Sequence, residues 1–103
     1  MHLREGRGMV ADDQIMALLD RWDRQQEGYI KQREERFEVM FDVLQSALGD
    51  AFTVVDAACG PGSLSRRLLA RFPQAKVIAV DADVMLLEMA RVALAPDGAR
   101  ARV

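Results

Sequence analysis

Apolar positions in the first half of the chain recur at helical spacing. Ile15, Leu18, Leu19 and Trp22 fall at i, i+3, i+4 and i+7, which places them on one stripe of a helix. Asp12 and Asp13 precede that stripe, where carboxylates suit the free N–H groups of a helix start. Gly28 is expected to interrupt the run. A second pattern aligns Ile30, Phe37, Met40, Phe41, Leu44 and Leu48, while Arg33, Glu34, Glu35, Arg36, Glu38 and Asp42 fill much of the remaining surface. Gly49 stands where a helix end favours a left-handed residue. The spacing therefore predicts two amphipathic helices packed on whatever follows. The charged run Lys31 to Glu38 is expected to be a solvated face with i, i+4 pairs.

Near Ala51 the period changes. Phe52 to Ala58 is a short apolar run rich in β-branched residues, without polar alternation, and it ends in Gly60-Pro61-Gly62. That pattern predicts a parallel strand buried on both faces, followed by a turn. Ser63 to Phe72 returns to helical spacing through Leu64, Leu68 and Leu69, and Pro73 ends it. Lys76 to Asp81 reads as a second buried strand. Asp83 is placed to cap a helix through Met85, Leu86, Met89, Ala90 and Ala93. Pro96-Asp97-Gly98 is a turn, and Ala99 to Val103 reads as the run-in to a third strand. The fold class expected is α/β. Residues 1–50 form an N-terminal helical segment, and residues 51–103 form an incomplete βαβα subdomain with parallel strands.

Composition narrows the function classes. The 103 residues are 50% hydrophobic and 29% charged, a globular balance. A formal net charge of −2 gives no general drive toward nucleic acid or an anionic membrane. A single cysteine allows no internal disulfide. The polar N-terminus lacks the apolar core of a secretory signal, so a cytoplasmic setting is the expectation.

The chemistry concentrates in Asp56-Ala57-Ala58-Cys59-Gly60-Pro61-Gly62, between the first strand and its helix. In open α/β sheets, ligands bind outside the carboxyl ends of the strands, at such turns. Gly60 and Gly62 have no Cβ to block a ligand approaching the backbone. The helix that follows presents free N–H groups to an anionic group. Asp56 can hold a cationic amine, directly or through water. Asp81, at the end of the second strand, can accept from two ribose hydroxyls. A strand-end carboxylate capping the next helix is the competing reading of Asp81. Cys59 has no histidine nearby, since the single one is His2, so it reads as a small residue in a tight turn rather than a nucleophile.

These residues carry a resemblance. Asp56 to Gly62 is similar to the first motif of class I S-adenosylmethionine (SAM) dependent methyltransferases, and Val77-Ile78-Ala79-Val80-Asp81-Ala82-Asp83 resembles the strand and acidic loop of their second motif. The resemblance covers about residues 50–103 and implies a truncated Rossmann-like fold that uses SAM. It implies that Gly60 and Gly62 line the methionine part, and that Ala58 and Cys59 of the same turn belong to the cofactor-binding residues. It implies too that Asp56 helps hold the amino group, Asp81 binds the ribose and Ala82 lies against the adenine. Ala58 stands where the family pattern has its first glycine, which a methyl tolerates if the backbone needs no positive φ. Tyr29 or Arg33 is a candidate to close over the SAM carboxylate. No metal is expected.

A nicotinamide or flavin Rossmann domain is the nearest alternative, but its third glycine is Ser65 here. A P-loop would need Gly-Lys-Ser/Thr after the turn. Complete enzymes of the resembled family have a seven-stranded sheet. By that comparison this chain would stop before its fold is complete, be inactive alone, and act in its parent on a small-molecule acceptor. A non-catalytic SAM-binding or structural fragment is the other reading. A homo-oligomer formed through an unfinished sheet edge is expected.

Overall fold

The computed structural model describes the backbone of residues 2–103 and the side chains of residues 12–103. Helix α1 (His2–Tyr29) and helix α2 (Arg33–Leu48) precede strand β1 (Thr53–Ala57), helix α3 (Ser63–Arg71), strand β2 (Lys76–Val80) and helix α4 (Val84–Leu94). A 3-10 turn over Ala95–Arg100 then leads to the short strand β3 (Ala101–Arg102). The strands form one parallel sheet in the order β1-β2-β3, with Val55 beside Ile78 and Ile78 beside Arg102. This is the α/β arrangement that the change of period predicts, and it is consistent with the truncated Rossmann-like fold that the resemblance implies.

Several helix ends follow from local chemistry. Asp83 caps α4, its carboxylate accepting from the N–H groups of Met85 and Leu86. At the other end of α3, the guanidinium of Arg100 donates to the carbonyls of Leu69 (2.7 Å), Phe72 (2.8 Å) and Ala75 (3.1 Å). Carbonyls at and just beyond a helix C-terminus have no partner within the helix, and one planar fork satisfies three of them here.

The core lies between one face of the sheet and the helices. Phe41, Leu68, Leu69, Phe72, Val77, Ala79, Ala90 and Leu94 are buried there. Phe72 is its aromatic centre, meeting Phe41 and Phe52 edge to face with centroids 6.1 and 5.0 Å apart. From α1, Leu19 is fully buried.

Three expectations need correction. The strands are buried on one face only. Val54, Asp56, Val77 and Ala79 point toward the helices, whereas Val55, Ile78 and Val80 are 58%, 36% and 49% exposed. Absence of polar alternation does not distinguish a face that is covered from one that could be. Helix α1 does not start at Asp12 but runs from His2, and it ends at Tyr29, one residue past Gly28, so the break between the two helices falls where the glycine places it to within two residues. Finally, the charges of residues 31–38 do not pair along their own helix. Arg33, Glu34 and Glu38 each reach another helix: Arg33 to Asp23, Glu34 to Arg67 and Glu38 to Arg71.

Candidate cofactor-binding site

The turn after β1 is built from left-handed backbone. Ala58, Gly60 and Gly62 have φ values of 56°, 58° and 89°. Two hydrogen bonds fix it: the Cys59 N–H donates to the Val80 carbonyl (2.9 Å), and the Gly62 N–H to the Cys59 carbonyl (3.1 Å). The first bond ties the turn to the end of β2. Ala58 thus carries its methyl in a conformation that does require positive φ, the condition under which the alanine is strained. A Cβ at Gly60 would meet open space, while one at Gly62 would stand 3.5 Å from Ala90 of α4. Gly60 therefore offers the open approach, whereas at Gly62 a Cβ would make only ordinary contact with α4 and it is the φ of 89° that favours glycine.

Asp81 joins the two motifs physically. One carboxylate oxygen accepts from the Gly60 N–H (2.8 Å) and the other from the Asp83 N–H (2.8 Å). These two donors, Asp83 first and Gly60 next, hold the carboxyl below its usual range against a small opposing effect of burial. An ionised carboxylate has about four acceptor sites. The Asp83 and Gly60 N–H groups use two, and the Ala82 N–H adds a weaker pull, which leaves acceptor capacity for a further donor such as a hydroxyl. Ala82, beside it, is exposed. Asp81 braces the turn, and the helix-capping reading gives way, because the cap of α4 is Asp83.

Asp56 is placed differently. It lies on the helix-facing side of β1 and accepts from the Ser65 hydroxyl at 2.6 Å. It borders an apolar pocket of about 150 Å³ with Met40, Leu44, Leu64 and Leu68. Burial pushes its carboxyl up, the Ser65 bonds oppose, and the charge of Asp81 adds to the rise. Cys59 is buried, within reach of the charge of both carboxylates. Burial, then Asp56 and Asp81, push its thiol up to about 11, and its Sγ is directed at the Gly60 carbonyl (3.3 Å). A thiol so held is not a nucleophile at neutral pH.

The structure thus brings Asp56, Ala58, Cys59, Gly60, Gly62, Asp81 and Ala82 to one end of the sheet. Tyr29 and Arg33 do not join them. Tyr29 is 78% exposed, and Arg33 is buried in an ion pair with Asp23 of α1 (3.2 Å). Two residues escaped the sequence reading. Ser65 counted there only as a missing glycine, yet its hydroxyl is the partner of Asp56. Asp23 lies off the apolar stripe of α1, yet it meets Ser63, Arg66 and Arg33. A signal for it existed: α3 carries Arg66, Arg67 and Arg71 with no acidic residue of its own. Its counter-charges had to come from elsewhere. Among the described residues, no group of three or more His, Cys, Asp or Glu side chains is placed to hold a metal, and no helix is long and apolar enough to cross a membrane.

A glycine turn at the end of one parallel strand is hydrogen-bonded to a carboxylate at the end of the next, at the end of the sheet where open α/β folds bind their ligands. Comparison with known proteins gives the family. A family model described as a methyltransferase domain matches residues 54–103. The chain is 46% identical over 74 residues to a trans-aconitate 2-methyltransferase of Azoarcus sp. (strain BH72), covering 71% of this chain and 28% of that protein. It is 41% identical over 71 residues to a trans-aconitate 2-methyltransferase of Rhodopseudomonas palustris (strain BisB18), 68% and 27% of the two chains. A ribosomal RNA small subunit methyltransferase H of Corynebacterium glutamicum (strain R) is 34% identical over 73 residues, 71% and 22%. Residues 54–103 therefore belong to the class I SAM-dependent methyltransferases. The matched region spans little more than a quarter of the length of the first two relatives.

Proposed function

We propose that this chain forms the SAM-binding half-site of a methyltransferase that transfers a methyl group from SAM to a small-molecule acceptor. Residues 51–103 are its binding subdomain and residues 1–50 a helical cover. The observation that carries the reading is the 2.8 Å bond from the Gly60 N–H to Asp81, which sets the glycine turn and the ribose-type carboxylate in one fixed geometry. SAM supplies an electrophilic methyl on a sulfonium. The protein's part is to orient it: Gly60 offers an open backbone, Asp81 its remaining acceptor capacity, and Ala82 an exposed apolar surface. Asp56, on the helix-facing side of β1, would act on a cationic amine through water or by its charge. The small-molecule acceptor rests on the names of the first two relatives, both trans-aconitate 2-methyltransferases. Cytoplasmic residence belongs to the same proposal and rests on the single, free cysteine.

The test is isothermal titration with S-adenosylhomocysteine, with the chain and with Asp81→Ala. Saturable binding that weakens at least tenfold in the variant supports the reading. Equal affinity of both proteins, or no binding by either, overturns the half-site.

A second proposal follows from the exposed sheet face: two copies of the chain associate through it. Val55, Ile78 and Val80 form its apolar centre, Lys76 lies at one end, and Asp81 and Asp83 follow the other end of β2. A two-fold pairing with strands antiparallel sets the basic end of one copy against the acidic end of the other. Sedimentation equilibrium should show a dimer that Val55→Lys dissociates; a monomer at every concentration contradicts it.

A further inference from the structure

We propose that Asp23 is a positioning residue for the glycine turn, clasping α1 and α2 to the first residue of α3. The proposal rests on the ligand-binding reading above for its functional consequence, but its geometry stands alone. Asp23 accepts from the Ser63 hydroxyl at 2.7 Å, from Arg66 Nη2 at 2.8 Å and from Arg33 Nη1 at 3.2 Å, with Arg67 Nη2 at 3.5 Å. Ser63 follows Gly62 directly, at the start of α3. Arg33 is the first residue of α2. One carboxylate therefore joins three helices at the exit of the turn.

The need for such a brace follows from the turn itself. Gly60 and Gly62 give it the left-handed backbone it requires, but glycine is the residue least restrained by its own side chain. No side chain caps the first turn of α3. The Ala58 side of the turn is anchored to β2 and Asp81; Ser63 and its partner anchor the other side. The pairing is also well protected. The side chains of Asp23 and Arg33 are 13% and 7% exposed. Charge is balanced locally, because Glu34 takes Arg67 through a two-oxygen contact at 2.8 and 2.9 Å and Glu27 lies 4.0 Å from Arg33. The other interhelical cluster is unlike it: Arg71 meets Glu38 and Asp42, two exposed acids far from the turn.

Residue-resolved amide hydrogen exchange on the ligand-free chain tests this. Asp23→Asn is expected to speed exchange of the amides of Gly60 and of Gly62 to Ser65 at least tenfold, with Val77 to Ala79 of β2 unchanged. Ser63→Ala, which leaves every charge in place, is expected to do the same more weakly. Glu38→Gln serves as the control that leaves the turn alone. A uniform rise across the chain would show a merely structural ion pair and overturn the proposal, as would unchanged exchange at the turn in Ser63→Ala. A second arm measures S-adenosylhomocysteine affinity, expected to fall at least tenfold in Asp23→Asn. Absence of binding by the unmodified chain would overturn the proposed function, while the exchange arm still decides the role of Asp23.

Discussion

Ala58→Gly should stabilise this protein, against the usual direction of a glycine substitution. Ala58 has φ of 56°, and its side chain is exposed, so removing the methyl forfeits no buried contact. An L-residue in the left-handed region carries a cost of about 1–2 kcal/mol. Against that relief, glycine enlarges the unfolded ensemble by about 0.4–1 kcal/mol. The difference is a gain of about 0.5–1 kcal/mol, or roughly 2–6 °C in Tm for a chain of this size. Gly60 provides an internal calibration. Its φ of 58° nearly equals that of Ala58, and a Cβ there would also meet open space. Gly60→Ala should therefore lose about what Ala58→Gly gains. Urea unfolding followed by circular dichroism measures both, with equal m-values showing that the unfolded state is comparable. A loss of stability in Ala58→Gly, or a shift of the same sign in both variants, would refute the strain argument.

Further outcomes follow from the same geometry. Asp83→Ala removes the acceptor for the Met85 and Leu86 N–H groups and should cost about 1 kcal/mol, read from the urea midpoint. Phe72→Ala should cost about 3–5 kcal/mol, because its ring is fully buried against Phe41 and Phe52; a cost below ~1 kcal/mol would contradict its place in the core. Cys59, pushed up to about 11, should be alkylated by iodoacetamide at pH 8 far more slowly than a free cysteine, whose pKa is about 8.5. Burial raises the Asp23 carboxyl, but the Ser63 hydroxyl and the Arg67 and Arg33 guanidinium groups outweigh it, and the net shift is downward. Its contribution is thus complete above the unfolded value of about 3.9 and is lost as pH falls through the folded one, so Asp23→Asn should flatten the acid limb of the stability profile.

Much of the fold was legible because its signals are local. Asp83 as a cap, Pro73 after α3, and the glycine turn between an apolar run and a helical one are read within a few residues of each other. The pairing of Gly60 with Asp81 was legible as a motif but not as a bond, since hydrogen bonds across 21 positions leave no periodic trace. The bare sheet face was not legible. Val55, Ile78 and Val80 are as apolar as the buried Val77, and composition alone does not say which face a helix covers. Asp23 was missed for the opposite reason: a lone acid on a polar face of α1 reads as solvated, and only the unbalanced arginines of α3 ask for it. Arg33 shows the hazard of assigning a cation to a ligand before its internal partners are known.

The most direct test of the central claim is a titration of the nitrogen-15-labelled chain with S-adenosylhomocysteine, followed amide by amide. The account predicts saturable shifts confined to Gly60, Gly62, Asp81 and Ala82 and their neighbours. Silence at these amides, or shifts concentrated instead around Arg91, Leu94 and Val103 at the far side of α4, would contradict it.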